Sequence, residues 1–441
     1  LRELDHMTST PQPAELKRLR ILVISNHYPP HEVGGYEQLC RDVTVRLADR
    51  GHQVTVLTSD YGTGTVPADG EPDVLRRLRL SPDYSLRVAP WLQFLFDRRR
   101  AEAFDLATLK TTIEENQPDV VFIWNLEFLP HSLAVEAEAA QDVGVAYWLA
   151  GYSPAGPDLW WRYWAQPPNS RAFLSAPKSV IRAIMLGILR SEGKPVRPRL
   201  DHVGVVSAWQ LRQGIANGTM PATARVIYNG VELDAFRKPA PEQISGPLRL
   251  LIAGRVSADK GVHLAVEAVG RLAQEPELPE IQLIVAGSGP ERYLSQLKDL
   301  AAQHKIAERT KFMGWLPRQQ MPDLMASCHV LLLPTIHQEP FARVVLEALA
   351  SGLAVIGADT GGTAEIIRHE ETGLIVRADD AADLAAQIRR LATDDALRRR
   401  IATEGQREVL DKFSIDRMVD HLEILLAEAS ADLQQAGATS T

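Results

Sequence analysis

Two glutamates bracket the stretch "EPFARVVLE", Glu339 and Glu347. The first follows the apolar run "VLLLPT", which reads as a buried strand. The second lies inside "VVLEALA", whose periodicity reads as a helix. One acid therefore sits on a strand-to-helix loop and the other two turns deeper. Earlier, "LRLLIAGRVSADKG" places Arg255 and Lys260 just past another strand end, between glycines. Gly287 in "IQLIVAGSGP", and Gly314 with Trp315 in "TKFMGWLP", follow two more strands with small residues that let a ligand approach the backbone. Two cations, several glycine turns and helix N-termini on one face suit a diphosphate. Each piece also has a plainer reading. Glu339 could favour a helix N-terminus, Arg255 and Lys260 could be a solvated surface pair, and Gly34 and Gly35 could open a helix. The position of these groups, one loop after each strand, argues for a shared site.

The elements that carry them follow one pattern. "RILVIS" (20–25), the loop "NHYPPHEVGG", the helical run "YEQLCRDVTVRLADRG" and the strand-like "QVTVLTS" form a βαβ unit, hence a parallel sheet. Strand-like runs recur at 119–124, 143–149, 202–207 and 224–229, giving an α/β domain over 16–236 with an irregular stretch at 151–200. "RKPAPEQISGP" (237–247) reads as a linker. The alternation restarts over 248–412, and the helical segment 413–430 is expected to return to the first domain. Residues 1–15, with "LRELDH" preceding Met7 as an extension foreign to the native start, and 431–441 read as disordered ends. Two doubly wound, Rossmann-like parallel sheets thus face a cleft, and ligands of such sheets bind at the strands' carboxyl ends.

Totals narrow the function. The 441 residues exceed one ordinary core, and 45% hydrophobic with 24% charged residues is the composition of a soluble globular protein. A net charge of -8 argues against a general nucleic-acid binder. Cys40 and Cys328 are too few and too far apart for a disulfide framework or a metal site, so a reducing cytoplasm is the expected location. No apolar stretch has the ~18 residues of a membrane span. No DxD pair follows a strand, and Pro29 with Pro30 keeps His27 and His31 from forming a helical ligand pair. Neither a metal nor a cofactor is expected.

The ordered set "GGYEQ", "GR" with "KG", "EPFARVVLEALASG", "TGGTAEII" and "ETGLIV" resembles the large retaining glycosyltransferase family 4, of the GT-B type, from Ile21 to about Leu425. The resemblance implies a nucleotide diphosphate sugar as donor. Glu339 would contact the donor sugar's hydroxyls and Glu347 the ribose, roles that fit an acceptor-only carboxylate facing a diol. The backbone amides of Phe341, Ala342 and Arg343 would face sugar and phosphate. Arg255 and Lys260 would neutralise the leaving diphosphate, with Gly34 and Gly35 beside it. Gly361, Gly362 and Glu365 would lie near the nucleotide or serve as turn and cap. In that family the leaving diphosphate is thought to deprotonate the acceptor hydroxyl on the same face.

The chain departs from the family in its first domain. Where a histidine is common on a strand-end loop, "YWLAGYSP" has Ala150 and Gly151, and "VFIWN" puts Trp124 ahead of Asn125. Asn125, Glu127 and His131 are the nearest polar replacements. The cluster "LWWRYWAQPP" offers Trp160, Trp161 and Trp164 either as an acceptor-side wall or as the buried face of a helical insertion. The basic, apolar run after it suits a lipid-linked acceptor and peripheral membrane contact. The expected activity is metal-independent, retaining transfer of a hexose, with UDP-glucose as the guess, to a carbohydrate, lipid-linked or small-molecule hydroxyl. A partner subunit that binds the nucleotide sugar without turnover and a GT-B epimerase are the rivals. A nicotinamide dehydrogenase is weaker, because the first strand leads into "NHYPPHEVGG" and not G-x-G-x-x-G.

Overall fold

The computed structural model describes residues 17–31, 34–61, 72–82, 89–166, 172–193, 197–237 and 246–438. The 1–15 segment and most of the 237–247 linker lie outside these residues. Two parallel sheets organise the chain. The first contains β1 (Arg20–Ser25), β2 (Gln53–Ser59), β3 (Asp73–Leu78), β4 (Val120–Asn125), β5 (Gly144–Leu149), β6 (His202–Val205) and β7 (Arg225–Val226) in the order β3-β2-β1-β4-β5-β6-β7. The second contains β8 (Leu248–Ala253), β9 (Ile281–Ala286), β10 (Thr310–Gly314), β11 (Val330–Leu333), β12 (Ala354–Ala358) and β13 (Leu374–Val376) in the order β10-β9-β8-β11-β12-β13. Both orders reverse direction once, between β1 and β4 and between β8 and β11. Such switch points leave a crevice outside the strands' carboxyl ends.

The central strands are nearly all apolar because helices cover both sheet faces. In β1 the burial is continuous from Ile21 to Ser25, and in β4 and β5 every residue is buried. Strand β3 is an addition to the sequence reading. Its "DVLRRL" is only half apolar, which suits a sheet edge where one side of the backbone meets solvent.

One apolar cluster runs through both domains. It joins Val23, Phe122, Trp124 and Trp148 of the first sheet to Phe341, Val345 and Leu346 of the second domain and to Leu422, Leu425 and Ala429 near the C-terminus. Each fully buried aliphatic side chain of this kind contributes about 1.5–3 kcal/mol. Against it packs the half-buried Tyr36, which stacks on Trp148 and donates its hydroxyl proton to the carbonyls of Trp124 (2.9 Å) and Trp148 (3.2 Å).

The last helix, Ile415–Ala438, crosses back to the first sheet and lies along β5 and β6. Its approach is close: a β-carbon on Gly144 would sit 2.3 Å from the Ala429 carbonyl oxygen. Arg50 pairs with Asp420 (2.7 Å) and with Glu423, whose other oxygen is 2.9 Å from His52 Nε2. The helix runs on through 431–438, which composition alone assigns to a disordered tail, because the Ala, Leu and Gln there are strong helix formers.

Candidate active site

The two loops at the second sheet's switch point are those that follow β8 and β11, and they carry the predicted chemistry. After β8, Arg255 is exposed and Lys260 ends a short 3-10 turn, Ala258–Lys260. Gly261 follows at φ 66°, and a β-carbon there would stand 1.9 Å from the Pro334 carbonyl oxygen. Only glycine lets the turn seat against the end of β11. Lys260 Nζ is thereby brought into an ion pair with Glu339 Oε2. Glu339 is fixed from its other side by Gly361, at φ 55°, where a β-carbon would fall 1.9 Å from the Glu339 carbonyl oxygen. That carbonyl accepts from Gly362 N at 2.8 Å.

The sequence reading did not single out His337. Its Nε2 is 3.4 Å from Glu339 Oε2, while Nδ1 lies 2.8 Å from Thr335 Oγ1 and 3.5 Å from Asp259 Oδ2. The signal was its place two residues before Glu339, on the same strand-end loop. At the neighbouring strand ends, Gly287 N donates to Gly314 O at 2.8 Å, and Trp315 beyond them is 65% exposed.

Glu347 is buried one helix deeper, on Arg343–Ala350, among guanidinium groups. Its Oε1 is 3.1 Å from Arg318 Nη1 and 3.4 Å from Arg343 Nε. Both arginines also reach the first domain, at 3.6 Å and 2.5 Å from Asp42 Oδ2, and Arg343 Nη1 donates to the Gly35 carbonyl at 2.9 Å. Burial pushes the Asp42 carboxyl up, but Arg343 and Arg318 outweigh it and hold the group below the usual carboxylate range. Burial draws the Arg343 guanidinium down, and Arg318 adds to that, against Glu347 and Asp42. Two cations and two anions thus meet between the domains. Phe341 and Ala342 are buried; Phe341 stacks on Tyr228, and its carbonyl accepts from Asn229 Nδ2 at 3.2 Å.

Glu365 joins the domains at a second point. Its carboxylate accepts from the backbone N–H groups of Ala208 (2.8 Å) and Trp209 (2.7 Å) and from the Tyr228 hydroxyl (3.1 Å). It therefore caps, from the second domain, the helix Ala208–Ala216 of the first, whose opening N–H groups have no partner within their own helix.

The first domain supplies less chemistry than the second. Gly151 faces Pro340 across the cleft, a β-carbon there falling 3.2 Å from Pro340 Cγ. Gly34 N donates to Glu37 Oε2 at 3.0 Å, opening the helix Gly35–Asp49. Asn125 is buried, and its Oδ1 accepts from Glu127 N at 2.8 Å, shaping the turn after β4. Glu127 points instead to Arg162, 3.8 Å away. His131 is half-buried, and burial lowers its pKa. Trp160 and Trp164 are 4% and 7% exposed, inside a satellite core with Phe94 and Met185, and Trp161 packs against it. Of the two uses open to this aromatic cluster, Trp160 and Trp164 take the buried one, while Trp161 is half-buried beside them.

Residues 33–235 match the family Glycosyltransferase Family 4, and residues 235–408 match Glycosyl transferases group 1. A glycogen synthase of Mycobacterium tuberculosis is 27% identical over 422 residues, covering 90% of this chain and 91% of that one. A D-inositol 3-phosphate glycosyltransferase of Geodermatophilus obscurus is 26% identical over 454 residues, covering 98% and 94%. Among solved structures, sucrose-phosphate synthase from Thermosynechococcus elongatus superposes with a TM-score of 0.71 at 19% identity, over 94% of this chain and 100% of that one. Anabaena HepE in complex with UDP-glucose does so at 0.67 and 20%, over 93% and 100%. With consecutive family matches across both domains and this shared architecture, the chain belongs to the group 1 glycosyltransferases and has the GT-B fold.

Proposed function

We propose that the protein transfers a hexose from a nucleotide diphosphate sugar to an acceptor hydroxyl, with retention at the anomeric carbon and without a metal. The observation that carries this reading is the Lys260–Glu339 pair at the switch point, with Arg255 on the same loop as Lys260. A cation and a sugar-binding carboxylate in contact can hold the two sides of one glycosyl–phosphate bond. Arg255 and Lys260 take the diphosphate, Glu339 takes sugar hydroxyls, and Glu347 takes the ribose. The bond from the anomeric carbon to the β-phosphate oxygen breaks as the acceptor oxygen bonds to that carbon from the same face. The acceptor proton passes to the departing phosphate oxygen, whose developing charge the two cations stabilise. The fold is shared with a protein solved with UDP-glucose, and UDP-glucose is accordingly the donor proposed here.

Calorimetry with UDP, GDP and ADP and their glucose esters tests the donor. NMR of the product's anomeric configuration, with and without chelator, tests the chemistry. Tightest binding of a uridine ligand, and a retained anomer formed in chelator, are expected. An inverted product, turnover only with added magnesium or manganese, or epimerised donor without transfer would each overturn the corresponding part.

A further inference from the structure

Three helical segments of the first domain, Pro90–Phe96, Leu159–Ala165 and Ala172–Ser191, pack on one another through Phe94, Trp160, Trp164, Met185, Leu186 and Leu189, apart from the main cores. The outer face of such a satellite is ordinarily polar. Here it is apolar. On Ala172–Ser191 the buried positions Met185 and Leu189 lie four apart, and Val180, Ala183, Ile184 and Gly187 repeat at helical spacing on the exposed side. Val180 is 60% and Ile184 53% exposed, and the neighbouring helix adds Trp91, Leu95 and Phe96, the last 64% exposed. One face of this helix is thus packed, while the other carries an apolar stripe that meets solvent.

The charge on these segments is mainly positive. The chain carries -8 overall, yet residues 157–199 contain eight Lys and Arg against two acids. Of the acids here, Asp158 caps a helix by accepting from Trp161 N at 2.8 Å, and Glu192, although exposed, is held by Arg98 and Arg99; Asp97 is exposed as well. Lys178 and Arg190, flanking the apolar stripe, are exposed, as is Arg100. A second copy of the chain would set this basic face against itself. An exposed apolar stripe with basic flanks matches the interfacial helices that lie in a headgroup layer, and no helix among the described residues is long and apolar enough to cross a membrane.

We infer that this face docks on a lipid surface bearing anionic headgroups. Trp91, Phe96, Val180 and Ile184 enter the boundary between headgroups and acyl chains, and Lys178 and Arg190 meet the phosphates. The patch adjoins the cleft through one short helix, since Trp160 Nε1 donates to Ser81 Oγ at 3.3 Å and Arg162 reaches Glu127 in the loop after β4. The inference does not depend on which donor the site takes.

Sedimentation of the full chain with vesicles tests it, comparing phosphatidylcholine alone with an equal mixture of phosphatidylcholine and phosphatidylglycerol. Binding to the anionic vesicles, weakened by salt, is expected. The pair Val180→Asp and Ile184→Asp is expected to lower partitioning about tenfold or more, and Lys178→Glu with Arg190→Glu to act in the same direction. The melting temperature and nucleotide diphosphate binding should stay unchanged. No partitioning onto anionic vesicles, or equal partitioning of the apolar double variant, would overturn the inference. So would light scattering that shows a dimer abolished by these substitutions while vesicles remain unbound, which would assign the face to a second copy.

Discussion

Glu339 and Glu347 are both carboxylates in ion pairs, yet they have different partners. Glu339 touches Lys260 and His337 at the mouth of the switch point, whereas Glu347 lies among Arg318 and Arg343 beneath it. Under the proposed function, Glu347→Gln removes a charged acceptor from the ribose. It should lower nucleotide affinity by ~1.5–3 kcal/mol, the range for hydrogen bonds to charged groups. Glu339→Gln should leave free nucleotide diphosphate bound almost as before, because that ligand has no sugar to hold. Turnover should fall sharply, since sugar positioning contributes to reaching the transition state. Calorimetry with the diphosphate, beside transfer rates for both variants, makes the test. Lost nucleotide binding in Glu339→Gln with none lost in Glu347→Gln would reverse the assignment.

At the scale of elements, backbone turns and a buried acid set two further expectations. Gly361→Ala forces a β-carbon into the Glu339 carbonyl and moves the loop that holds the acid. Strain of about 1–3 kcal/mol should appear as a lower melting temperature together with lost transfer. An unchanged melting temperature and rate would show that the loop relaxes freely. The second expectation concerns the helix Arg98–Asn116, which is pinned to the end of β3 by Asp105. Its Oδ1 accepts from Arg79 N at 2.9 Å, and its Oδ2 is buried without a hydrogen-bond partner among the described residues. Burial raises the Asp105 pKa to about 7, against the pull of Arg79. In the unfolded chain the carboxyl loses its proton near pH ~4. Between that value and about 7 the folded state holds the extra proton, so stability falls as pH rises. Asp105→Asn lacks this penalty. Relative to the parent it should gain stability between about pH 5 and about pH 8, on the order of 2–4 kcal/mol at most. Urea unfolding at the two pH values measures the change, and a constant gap would refute the buried titration.

At the scale of the whole molecule, the domains are held by the returning helix, by a shared apolar cluster and by polar contacts on both sides of the cleft. Glu365 is the most economical of these contacts, one carboxylate meeting two helix N–H groups and a tyrosine hydroxyl across the interface. Glu365→Ala should cost about 0.5–2 kcal/mol, as the loss of a cap does. The remaining contacts hold less firmly without it, so the radius of gyration in small-angle scattering should increase. An equal radius of gyration, with stability unchanged, would mean the carboxylate is not part of what holds the cleft.

The alternation of strand and helix, the two parallel sheets, the loops that carry Arg255, Lys260 and Glu339 and the helix that carries Glu347 were legible in the sequence. Hydrophobic period and turn residues are local properties, and the order of strands and loops follows from them. Strand β3 was not legible, because Arg76 and Arg77 break the apolar pattern and only the neighbouring β2 reveals its role as an edge. Partners were not legible either. Asp42 and Arg343 are separated by 301 positions, and Ala208 and Glu365 by 157, with no local pattern joining them. The tryptophans of "LWWRYWAQPP" have the same composition whether they line a cleft or fill a core, and packing with Phe94 and Met185 decided for the core at Trp160 and Trp164. The sequence by itself determined which segments form strands, helices and chemically equipped loops. The tertiary structure decided which charges meet, because a buried ion is tolerated only where a distant partner compensates for its lost water.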